Sequence, residues 1–151
     1  MTIRASTGLK NAMLGTVGLK GATANGVLRI YSGAQPASAD AAVIGTLLME
    51  VTLDGGAFSH GSPTNGLNWD TPVNGTTSKP VADTWKGTGI AAGVAGWGRY
   101  YSNPLDDGSS STSLARVDMS VGKGTGDLQL SNVNVAVAAP ITVDVAILRL
   151  P

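Results

Sequence analysis

The chain has 151 residues, enough for one domain with a real core, and 42% of them are hydrophobic while only 13% are charged. Ten basic residues balance ten acidic ones, which argues against a domain built to grip nucleic acid, and the apolar content argues against disorder. The absence of cysteine excludes disulfides and thiolate metal sites, and no run resembles a signal peptide or is long enough to span a bilayer, so a protein soluble when made is expected.

Residues 1–26 read as an N-terminal arm or short helix, and residues 27–151 as the main domain. In the arm, Ser6 or Thr7 offers an N-cap, and Leu9, Ala12, Met13 and Val17 recur at helical spacing. Gly8, Gly15 and Gly18 weaken that helix, each by about 1 kcal/mol relative to alanine. Residues 21–26 read as a flexible turn.

From Val27 the period changes to two. Leu28 and Ile30 share one face, with Val27, Arg29 and Tyr31 on the other, until Ser32, Gly33 and Pro36 end the strand. Leu47, Met49, Val51 and Leu53 then oppose Glu50 and Thr52. Residues 55–79 form a long polar stretch with Phe58, Leu67, Trp69 and Val73 as isolated anchors. Trp97, Arg99 and Tyr101 alternate with Gly98 and Tyr100, and a second polar loop covers residues 103–113. Beyond it, Ala115, Val117, Met119 and Val121 oppose Arg116, Asp118 and Ser120.

Leu128 and Leu130 fall on even positions, whereas Val133, Val135 and Val137 fall on odd ones. Either Ser131 and Asn132 form a bulge or turn, or two strands meet there. After Pro140, Ile141, Val143, Val145 and Ile147 oppose Thr142, Asp144 and Ala146. Many short strands with long polar crossovers predict an all-β fold. The expected form is an antiparallel β-sandwich, a jelly roll in particular, with apolar inner faces and outer faces that are wet or covered by a partner.

Nothing in the sequence makes a persuasive active site, and no catalytic residue, cofactor or metal is predicted. The single histidine, His60, lies beside Ser59 in a loop without a nucleophile-elbow pattern. Glu50 is the only glutamate and the aspartates are scattered, so no facing carboxylate pair stands out. The GKGTG run at 122–126 lacks the spacing and following helix of a phosphate loop and reads as a hairpin turn. LDDGSSS, residues 105–111, reads as a solvated turn rather than a calcium loop. Trp69, Trp85, Trp97, Tyr31, Tyr100 and Tyr101 are expected in the core or at a subunit contact, the alternative being a sugar-stacking platform.

Three segments, STGLKNAML (6–14), RIYSGAQPASAD (29–40) and AGWGRY (95–100), resemble a family of small structural proteins of tailed-bacteriophage virions. Thr46-Leu47-Leu48 and the approach from Ser78-Lys79 to Trp85 add to the likeness, which spans most of the chain. The resemblance implies a non-enzymatic cement or decoration protein, made in the bacterial host cytoplasm and clamped on the capsid exterior. Its partner would be the major capsid protein, with no nucleic acid and no membrane. Other proteins of this kind and size are tail or baseplate components. A carbohydrate-binding β-sandwich is the alternative from another class. The resemblance carries over no site residues.

Low charge and apolar edge strands predict a homodimer or homotrimer at a symmetry axis. Partner contact is expected at Ile3, Arg4, Leu9, Met13, Leu14 and Val17. A helix so short and glycine-rich must dock somewhere, either over one end of its own domain or on a neighbouring subunit.

Overall fold

Ten strands and two short helices follow from these patterns in a computed structural model that describes residues 3–150. In chain order they are β1 (Arg4–Ala5), α1 (Thr7–Leu14), α2 (Gly18–Ala22), β2 (Val27–Ser32), β3 (Leu47–Leu53), β4 (Thr76–Ser78), β5 (Trp85–Gly89), β6 (Gly93–Tyr101), β7 (Arg116–Gly122), β8 (Leu128–Leu130), β9 (Asn134–Val135) and β10 (Pro140–Arg149).

The all-β expectation holds, but the hydrogen bonding does not divide into two sheets. It runs β7-β8-β10-β5-β3-β2-β6 and returns to β7, closing a seven-strand barrel, with β1, β4 and β9 added at its margins. Closure removes most of the free edges that two open sheets would leave. β2, β3 and β5 form a meander, and residues 90–92 then cross one barrel end so that β6 lies beside β2, a Greek-key return. This crossing is pinned by the Ile90 amide, which donates to the Leu48 carbonyl at 2.7 Å.

Inside the barrel lie Leu28, Ile30, Met49, Val51, Trp85, Tyr100, Val117 and Met119, largely the faces that alternation singled out. Leu67 and Trp69 from the long polar stretch join this core, whereas Val73 is exposed. Trp69 meets Trp85 edge-on at 5.2 Å and lies 5.3 Å from Tyr100. The Tyr100 hydroxyl donates to the carbonyls of Leu67 (2.6 Å) and Thr23 (2.8 Å), sharing its one proton, so a buried phenol is satisfied.

Two expected patterns change. In β10 the register shifts between Val143 and Val145, so Ala146 and Leu148 point inward where Val145 and Ile147 were expected. One bulge inverts every later side chain. The glycine-rich run after β7 is not a hairpin turn, because β7 and β8 pair in parallel, Val121 with Leu128. It is stitched by Ser120 and Asp127: the Ser120 hydroxyl donates to Asp127 Oδ2 (2.6 Å) and accepts the Asp127 amide (2.9 Å). The phase change after Leu130 is resolved as two strands, β8 and β9, with Asn132 capping the Asn134 amide at 2.9 Å.

Residues 3–22 are docked on the barrel. β1 pairs with β7, and Ser6 caps α1 by accepting the Leu9 amide (3.1 Å). The same hydroxyl donates to the Leu114 carbonyl (2.7 Å) and accepts the Arg116 amide (2.9 Å). Gly8, a weakness by propensity, is the reason the helix fits. A Cβ there would lie 2.4 Å from the Ser113 carbonyl oxygen and 2.5 Å from that of Leu114. Gly8→Ala is therefore expected to destabilise the fold by about 1–3 kcal/mol of overpacking, read as a lowered urea midpoint, although alanine is the better helix former by about 1 kcal/mol. An unchanged or raised midpoint would show that propensity governs this position.

Candidate functional site

On the outer side of the barrel, β2, β6 and β7 bring one row of side chains together. Cross-strand register sets Arg29 opposite Arg99, Tyr31 opposite Trp97, and Arg99 opposite Asp118. This face was expected to be wet or covered by a partner, but the chain covers it with its own loops. Arg99, Arg116 and Asp118 are fully buried, and Asp106, expected in a solvated turn, is buried too.

Arg99 binds Asp118 through two parallel contacts, Nε to Oδ1 at 2.6 Å and Nη2 to Oδ2 at 2.9 Å, and donates to the Ala41 carbonyl at 2.9 Å. Arg116 grips Asp106 in the same way, at 2.6 Å and 2.6 Å, and donates to the Ser109 carbonyl at 2.7 Å. Planar guanidinium and carboxylate groups match in this forked geometry; the Arg99 fork joins β6 to β7, while its bond to Ala41 and the Arg116 fork to Asp106 hold the covering loops. Tyr31 stacks on Trp97 at 4.7 Å, and its hydroxyl meets that of Tyr101 at 2.8 Å.

The six aromatics considered as a platform are all buried. None offers the open ring face that sugar stacking needs. Burial pushes the hydroxyls of Tyr31, Tyr100 and Tyr101 above the ordinary phenol range. Because the fold favours the neutral phenols, the stability tied to them is complete below about pH 10 and is lost as pH rises above it. These are the only tyrosines. Absorbance at 295 nm is therefore expected to stay flat past about pH 10 and then rise in one step with unfolding. A gradual titration centred near about pH 10 would contradict their burial.

His60 does not form a catalytic pair with Ser59. Its Nδ1 lies 3.1 Å from the Asn103 carbonyl and its Nε2 lies 3.4 Å from Arg29 Nη2, an arrangement that places the proton on Nδ1 and leaves Nε2 to accept. His60 thus ties its loop to Arg29 on the barrel, while Arg29 also pairs across strands with the half-buried Glu50 of β3 at 2.9 Å. Among the described residues, no three His, Asp or Glu side chains gather as a metal site, and no helix is long and apolar enough to cross a membrane.

The six residues expected to contact a partner separate into three groups. Leu9 is fully buried in the core, where Ile3 and Met13 pack partly against it. The Arg4 guanidinium donates to the Pro36 carbonyl. Leu14 and Val17 are exposed, at 88% and 56%. Ile3, Arg4 and Met13 also meet at a groove of about 390 Å³, shared with Ala5, Lys10 and Leu150. A second exposed apolar set, Ile90, Val94 and Val137, lies around the opposite end of the barrel, between β5 and β6, at the start of β6 and between β9 and β10. Compared with protein-family models, curated proteins and solved structures, the chain shows no match to any.

Proposed function

We propose that this chain is a structural protein of a tailed-bacteriophage virion, a cement or decoration protein that binds across major capsid protein subunits on the capsid exterior. The observation that carries this reading is the convergence of the three virion-like segments. Thr7 donates its amide and hydroxyl to Asp40 at 2.7 and 2.6 Å, Tyr31 stacks on Trp97, and Arg99 reaches the Ala41 carbonyl next to Asp40. Segments separated in sequence thus form one packed unit, so their likeness is a likeness of scaffold and not of reactive groups.

The functional groups that remain accessible suit binding. Leu14, Val17, Ile90, Val94 and Val137 are exposed apolar side chains at the barrel ends. Contacts to several shell subunits at once would let modest individual affinities multiply, and self-contact as a dimer or trimer at a symmetry axis would add to them. Imaging of intact particles carrying a labelled copy tests this reading, with label expected over the head surface. Label confined to the tail would replace it with a tail or baseplate role.

A further inference from the structure

Among the described residues, β1 bonds to β7 on one side only. The Ser6 amide points toward β7, donating to the Arg116 carbonyl at 3.0 Å. Backbone groups alternate sides along a strand in an antiparallel ladder, so the N–H and C=O of Ala5 point away from β7. The 390 Å³ groove is lined by Ile3, Arg4 and Ala5 in succession. Successive residues of a strand face opposite sides of a sheet, so a cavity touched by all three lies along the strand edge.

The other walls define what fits there. Met13 and Leu150 are apolar, residues 37–39 are small, and Lys10 joins Arg4 in supplying positive charge. Among the described residues, no acidic side chain lines the groove. Asp40, next to residue 39, is held by Thr7 outside the groove lining, where its charge offsets part of that of Lys10.

We propose that this slot takes an extended segment of another protein of the particle, added as a strand to β1, with apolar residues in alternation and at least one carboxylate. Main-chain bonds to Ala5 would supply affinity, while the apolar wall and the Arg4–Lys10 pair would select the sequence. That the donor is the shell protein rests on the function proposed above.

Overlapping 12-residue peptides covering the particle's structural proteins, added to the ¹⁵N-labelled full chain, test the slot directly. At least one acidic, alternating peptide is expected to shift the amides of Ala5 and Leu150. Ala5→Pro removes the free-edge N–H without touching the β7 ladder, and Ala37→Glu sets a competing carboxylate beside the two cations at an exposed position. Each is expected to weaken peptide binding at least about tenfold, with an unchanged melting temperature for Ala37→Glu. The inference is overturned if no peptide shifts these amides, if Ala37→Glu binds as well as the native chain, or if the same shifts arise with protein concentration alone, which would mean a second copy occupies the slot. Binding of both variants to stripped heads at native affinity would sink the slot but leave the cement role standing. A peptide from a tail protein seated in the slot would keep the slot and remove the cement role.

Discussion

Asp118→Ala is expected to destabilise the fold by about 3–5 kcal/mol, because it strands the Arg99 guanidinium without its counter-charge in a site closed to water. Both partners are fully buried, and two short contacts join them. The magnitude follows less from the strength of the pair than from the cost of the charge left behind. Replacing both partners, as Arg99→Met with Asp118→Leu, is therefore expected to recover most of the loss. Glu50→Ala provides the contrast: its pairing with Arg29 is partly exposed, at 31% and 19% side-chain accessibility, and about 0–1 kcal/mol is expected. Urea unfolding of the four proteins is the measurement. An Asp118→Ala loss no larger than that of Glu50→Ala would mean that water reaches Arg99.

Trp85→Ala should be comparably damaging, at about 3–5 kcal/mol. Trp85 is fully buried between Trp69 and Tyr100, with ring centroids 5.2 and 6.3 Å away. Removing the indole leaves a void that its neighbours cannot refill without also disturbing the Tyr100 hydroxyl and its bond to Leu67. Trp85→Phe keeps a ring in contact with both neighbours and is expected to cost less than half as much. Equal losses for the two variants would show that the indole edge, and not ring packing, holds this end of the barrel. Losses of this size are a large share of a typical total stability of about 5–15 kcal/mol.

Strand content was legible where alternation was clean. Leu28 and Ile30, Met49 and Val51, and Val117 and Met119 are inside as their spacing predicts. The final strand was misread because a bulge after Val143 leaves no residue signature, and its downstream positions are apolar on both faces: Val145 and Ile147 on one, Ala146 and Leu148 on the other. Barrel closure was not legible either. It depends on β6 reaching both β2 and β7, and alternation reports which face is apolar, not which strands pair. The covered outer face did carry a signal. Tyr31, Trp97 and Tyr101 share the phase of Arg29 and Arg99, and a face so aromatic is poorly suited to water. The charges on it suggested solvent because their pairing is not visible in the sequence: Arg99 meets Asp118 across two strands, and Arg116 meets Asp106 in a loop that reads as polar. The N-terminal groove was half visible: Ile3, Arg4 and Met13 were singled out, while Leu150, at the far end of the chain, reaches them only through the folding of β10 beside β8 and β8 beside β7.

Closure of the barrel also governs the time the chain takes to form. Ser6 bonds to Arg116 across 110 positions, and Tyr31 meets Tyr101 across 70. Neither contact can reward the chain until a long loop has closed, and proteins dominated by such pairings fold on a scale of about milliseconds to seconds. During that interval the strand edges that closure later hides are bare and open to other chains. Yield during synthesis is thus set by a race between ring closure and intermolecular pairing, and faster production at high temperature favours the second.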